Sequence, residues 1–176
     1  LEAGGPAAFK QLLRGGPFRP YHWRVRHFRA GNIEEVTVWF SPTGVPYGFS
    51  QRLSAEVPGA ALGVENARTV AENSVGFPWN VDIDAYDLVE SSEEEQPGGR
   101  VDHTFVYERP DVGVGAGRFR LLVVVSGDRV SELRHLLQIP EAFDRRFEEM
   151  RSVNNGIGAA GSLAVVLIYG VGGTGI

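Results

Sequence analysis

Two stretches of this chain, 21–28 and 35–40, alternate apolar and polar side chains with a period of two. A strand turns successive side chains to opposite faces, whereas a helix returns to one face every third or fourth residue. Five further stretches, 46–53, 85–90, 101–109, 118–126 and 130–139, also read as strands. Ala30-Gly-Asn and Ser41-Pro-Thr-Gly44 are turn signals between the first three. Gly127-Asp128 is a two-residue hairpin turn whose residue order favours type II′ over I′. Val64, Ala67, Ala71 and Ser74 or Val75 recur at helical spacing, and Gly76-Phe-Pro-Trp-Asn80 ends that helix. The acidic stretch Glu93-Glu-Glu-Gln-Pro-Gly-Gly99 is expected to be a solvated hairpin tip. Strands, then a helix, then antiparallel strands imply an α+β fold: a curved antiparallel sheet with one packed helix.

The chain has 176 residues, 43% of them hydrophobic and 10% aromatic, enough to bury a core and to exclude wholesale disorder. Cysteine is absent, which removes disulfides, zinc–thiolate sites and thiol nucleophiles together. Lys10, Arg14, Arg19, Arg24, Arg26 and Arg29 face only Glu2 within the first thirty positions, although the whole chain has net charge −5. Such a basic arm on an acidic body suits anionic lipid or nucleic acid, or is simply solvated. No nucleic-acid fold signature accompanies it.

Four regions follow: a Gly/Pro-containing basic arm (1–20), a compact domain (21–139), a connecting helix (140–156) and an apolar run (157–176). Pro140 suits a first helical turn, and Phe143, Phe147 and Met150 form an i, i+4, i+7 stripe. After Arg151 no side chain ionises as an acid or base. A helix needs about 20 such residues to cross a hydrocarbon core, so the run is expected to start a transmembrane helix. Its many glycines suit close packing against further spans. A rival remains: Gly170-Val-Gly172-Gly-Thr-Gly175 fits G-x-G-x-x-G, the turn that lets backbone approach a pyrophosphate. That reading needs a helix and an acidic residue further on. The chain begins with Leu1 and ends in apolar residues, so we expect a stretch of a longer protein.

Two segments carry a family resemblance. Thr43-Gly-Val-Pro-Tyr-Gly-Phe-Ser50, Val57-Pro-Gly-Ala-Ala-Leu62 and Val64-Glu-Asn-Ala-Arg-Thr-Val-Ala71 resemble the strand, loop and helix of PepSY-like, cystatin-shaped domains. Asp102–Arg109, Arg118–Val130 and Ile139–Ser152 are similar to the domain preceding the membrane core of some bacterial CPBP-family (CAAX-type) intramembrane metalloproteases. The resemblance implies a bacterial membrane parent that cleaves peptides with a metal ion, zinc, and an extracytoplasmic domain that gates or presents peptide substrate. It implies no cofactor in this stretch. Partners would be the bilayer, further membrane helices of the same chain and substrate peptides, with no nucleic acid. The family signature, Glu-Glu-x-x-x-Arg followed by Phe-x-x-x-His and His-x-x-x-Asn/Asp, does not occur. Glu148-Glu149 does not fit it, because Val153 stands where the arginine belongs. Two other readings stay open: a membrane-anchored ligand-sensing or structural domain without a protease, and a truncated Rossmann-type nucleotide-binding protein.

Other chemistry finds no home in the pattern. His22 and His27 are five apart on one expected strand and face opposite sides; His103 and His135 stand alone. No H-E-x-x-H and no G-x-S-x-G occurs. Asp82 and Asp84 would share a face if 81–85 is extended, offering a weak cation site or solvated carboxylates. Asp102 and His103 are adjacent but diverge on a strand. We therefore expect no catalytic, cofactor-binding or metal-binding residue here, and a binding module instead of a catalyst.

Overall fold

The computed structural model describes residues 21–114 and 117–138. The arm, the connecting helix, the apolar run and its glycine motif lie outside the described residues. Among those described, no helix is long and apolar enough to cross a membrane.

Among the described residues the domain is one antiparallel sheet of seven strands with one α-helix. The strands are β1 (Trp23–Phe28), β2 (Glu35–Phe40), β3 (Pro46–Arg52), β4 (Asp87–Glu95), β5 (Val101–Val114), β6 (Gly117–Ser126) and β7 (Arg129–Gln138). Helix α1 spans Val64–Ser74, and a 3₁₀ turn covers Ile83–Ala85. All seven stretches expected to be strands form them. Their spatial order, β1-β2-β3-β7-β6-β5-β4, was not legible in the pattern, because period two says which residues share a face and nothing about neighbours.

Turn chemistry matches the backbone. Gly127 has φ +68° while Asp128 keeps a negative φ, as type II′ requires. Between β2 and β3, the Ser41 hydroxyl accepts from Val45 N–H at 3.0 Å, and Gly44 has φ +84°. The acidic stretch is the main correction. β4 runs on to Glu95, with Glu93 opposite His103 and Glu94 opposite Asp102, and the turn shrinks to Gln96–Arg100. An edge strand exposes its side chains to water, so glutamates sit there without desolvation and propensity is overridden by pairing to β5.

The core lies on one side of the sheet. Phe105 and Tyr107 of β5, Leu121, Val123 and Val125 of β6, and Leu133 of β7 are buried beneath Ala67 and Ala71 of α1 and the following Val75. The two alanines let the helix approach β5, β6 and β7 closely. Beyond β7 the sheet continues without the helix, and Trp79 from the following loop stacks on Phe49 of β3 at 4.8 Å. Gly48 is required at this junction: a Cβ there would lie 2.6 Å from the Leu133 carbonyl oxygen.

Candidate functional site

The residues considered from sequence are dispersed. His22 precedes β1, its ring 6.5 Å from that of Tyr47, which stacks at 4.6 Å on His135. His27 is exposed on β1. Asp84 falls inside the 3₁₀ turn, so the extended geometry that would align it with Asp82 is not formed. Asp102 and His103 do diverge. Asp102 takes a bidentate pair from Arg100, at 2.7 and 3.0 Å, while His103 turns into the core. Among the described residues no group of three or more His, Asp or Glu side chains gathers to hold a metal ion.

His103 is wholly buried, with Nε2 2.8 Å from the Leu62 carbonyl oxygen. A carbonyl oxygen can only accept, so Nε2 carries a proton and donates it to Leu62. Nδ1 has no hydrogen-bond partner, and the nearest carboxylate, Glu93, stands 3.8 Å away. The contact ties the loop before α1 to β5.

Two further polar positions hold the fold. Arg100 is 4% exposed and donates to the carbonyls of Ser54 (3.2 Å) and Val57 (2.9 Å) besides its pair with Asp102. That pairing holds its guanidinium more firmly charged than usual. Burial, then the nearby Glu72 carboxylate, pushes the Tyr107 phenol up to about 12. Its hydroxyl lies 3.4 Å from Glu72, which also pairs with Arg68.

The sheet's two edges differ sharply. β4 carries Asp87, Glu90, Glu93, Glu94 and Glu95, and an open groove beside it is lined by Ser92, Glu93, Glu94, Asp102, Thr104 and Val124. β1 carries Trp23, Val25 and His27 on the α1 side of the sheet and Arg24, Arg26 and Phe28 on the other. All six of its residues are exposed, Trp23 at 67%, Val25 at 54% and Phe28 at 57%. Arg26 pairs with Glu35 and lies over the Phe28 ring at 4.8 Å, whereas Arg24 has no ion-pair partner among the described residues. An open groove of about 420 Å³ adjoins the strand, lined by Tyr21, His22, Trp23 and Pro42.

Strand register shows why this edge stands out. Residues paired across neighbouring strands share a face, so Phe105, Val123, Leu133, Phe49, Val38 and Val25 form one apolar row from β5 to β1. Burial is complete for the first three, partial for Phe49 and Val38, and lost at Val25. The row runs off the edge of the sheet. Sequence reasoning saw the alternation of β1 but missed the row, because it depends on β7 lying beside β3.

Neither a family model, nor a curated protein, nor a solved structure is similar to this chain.

Proposed function

We propose that this domain is a non-catalytic binding module that takes an extended peptide as an added strand along β1. The observation that carries the reading is the apolar row that ends exposed at Val25. A strand laid against β1 would place an apolar side chain over that end, and its backbone would meet the outward N–H and C=O groups of β1. Those groups have no strand beside them among the described residues. Main-chain bonds supply affinity in such additions, and alternate side chains supply selection.

In the wider form of the proposal, drawn from the resemblance, the module is tethered to a bacterial membrane on the extracytoplasmic side. There it presents or withholds peptide chains at an intramembrane metalloprotease of the CPBP type. Deleting 34–139 from the longer protein is expected to change proteolysis or substrate range; unchanged proteolysis would remove the gating role.

Strand addition has a signature of its own. A fluorescent peptide of alternating threonine and valine, as long as the six residues of β1, is titrated with the full chain. N-methylation at successive peptide positions should abolish binding at every second one, because only alternate amides point at the partner strand. Loss at every position, or at none, would mean that the peptide does not bind as a strand.

A further inference from the structure

Resting on that reading, we infer that the peptide class this edge selects is acidic on one face and apolar on the other. β1 dictates this position by position. Arg24 and Arg26 project on the face away from α1, and Val25 between them projects on the α1 face beside Trp23. A strand seated against 23–27 sets its own alternate side chains directly opposite these. One parity meets two guanidiniums; the other meets valine and indole. Carboxylates suit the first parity, because opposite charges across a strand pair attract and like charges repel. Valine, isoleucine or leucine suit the second, because they extend the Val38–Val25 row and remove the exposed ends of Trp23 and Val25 from water.

Charge around the edge strengthens the choice. Residues 21–30 hold Arg24, Arg26 and Arg29 and no acid, and Arg52 of β3 lies exposed on the same face as Arg24. Glu35, the one carboxylate opposing them on that face of β2, is already paired with Arg26.

The opposite edge rejects the same ligand. β4 presents Glu90 and Glu94 on one face and Glu93 and Glu95 on the other, so an acidic strand is repelled there from both sides. A second copy of the chain fits β1 poorly as the occupant. Its β4 would have to bring Glu93 and Glu95 against Trp23 and Val25, and it could set only one of Glu90 and Glu94, four positions apart, opposite Arg24 or Arg26. The edges thus separate ligands by sign: acidic–apolar chains go to β1, and β4 stays bare.

Three labelled six-residue peptides decide the matter, with valine alternating with glutamate, threonine or lysine, titrated into the full chain by fluorescence anisotropy at low salt. The glutamate peptide is expected to bind about tenfold tighter than the lysine peptide, from two exposed charge pairs each of modest strength. Arg24→Gln should weaken that preference, Arg24→Glu should flatten it, and Arg24→Glu with Arg26→Glu should reverse it. Circular dichroism confirms that each variant is folded. Raising salt should erase the preference. Glu90→Gln with Glu94→Gln should leave glutamate-peptide affinity unchanged; a gain there would place the ligand on β4 and overturn the assignment. Equal binding of all three peptides, with the every-second-residue N-methyl pattern intact, overturns the acidic class and leaves strand addition standing. Binding that ignores N-methylation, or none at all, overturns both.

Discussion

Arg100 is where the fold should be most sensitive to a single polar change. Its side chain joins two segments: β5 through Asp102, and the loop before α1 through the Ser54 and Val57 carbonyls. Its methylenes also fill the space that Gly59 and Gly127 leave open, since a Cβ at Gly59 would lie 2.7 Å from the Arg100 Cγ. Arg100→Met keeps most of that volume and removes only the charged fork. Removing one partner of a buried pair costs about 3–5 kcal/mol. Asp102 is 17% exposed and keeps some water, which puts the cost near the lower end, at about 3 kcal/mol. That is a large share of the roughly 5–15 kcal/mol that holds a domain folded. Urea unfolding followed by tryptophan fluorescence, from Trp23, Trp39 and Trp79, measures it, with an unchanged denaturant slope as the check on a common unfolded state. Arg100→Lys should fall between, because one ammonium cannot serve a bidentate carboxylate and two carbonyls together. Adding Asp102→Leu to Arg100→Met should recover part of the loss by removing the stranded charge. A loss under about 1 kcal/mol for Arg100→Met, or no recovery in the double variant, would show that the clamp is not what fixes the loop.

Two further outcomes follow from the core. The Tyr107 phenol titrates near pH 10 in the unfolded chain and is raised to about 12 in the fold, so its stabilisation is complete below pH 10 and lost as pH rises through 12. Because the hydroxyl reaches toward half-exposed Arg68 and Glu72, the loss should be about 2 kcal/mol, measured by denaturation across that range, and Tyr107→Phe should remove its contribution to the slope. Gly48→Ala forces a methyl against the Leu133 carbonyl and should cost about 1–3 kcal/mol, with faster hydrogen exchange in β3 and β7 as the local signature.

Local features were legible in the sequence wherever a residue's own chemistry decides the outcome. The apolar run from Arg118 to Ser126 reads as a strand because it is short, rich in valine and bounded by a turn, and Phe119, Leu121, Val123 and Val125 share its buried face. Gly127 reads as a turn because its φ is positive. Glu93–Glu95 misled because composition reports solvation, and an exposed edge strand is as wet as a loop. The binding edge was half legible. Trp23-Arg-Val-Arg announces two unlike faces, but only the register from β1 through β7 shows that Val25 ends a row begun in the core. The Arg100 clamp joins residues more than forty positions apart and left no local trace.

The place of β7 in the sheet has a consequence for how the domain comes into being. Chains leave the ribosome N-terminus first, and β7 is the last strand of this sheet to appear, yet it stands between β3 and β6. Until it emerges, the β1–β3 meander has no route to the helix-covered core, and β3 and β6 each show a naked flank. One arriving strand then closes both flanks and joins the two halves of the sheet at Phe49–Leu133. Completion of the fold therefore waits on a late, long-range event, a topology that slows folding and lengthens the interval in which nascent chains can pair wrongly. During that interval the glutamates of β4 guard one outer edge of the nascent sheet, while the arginines of β1 guard the other.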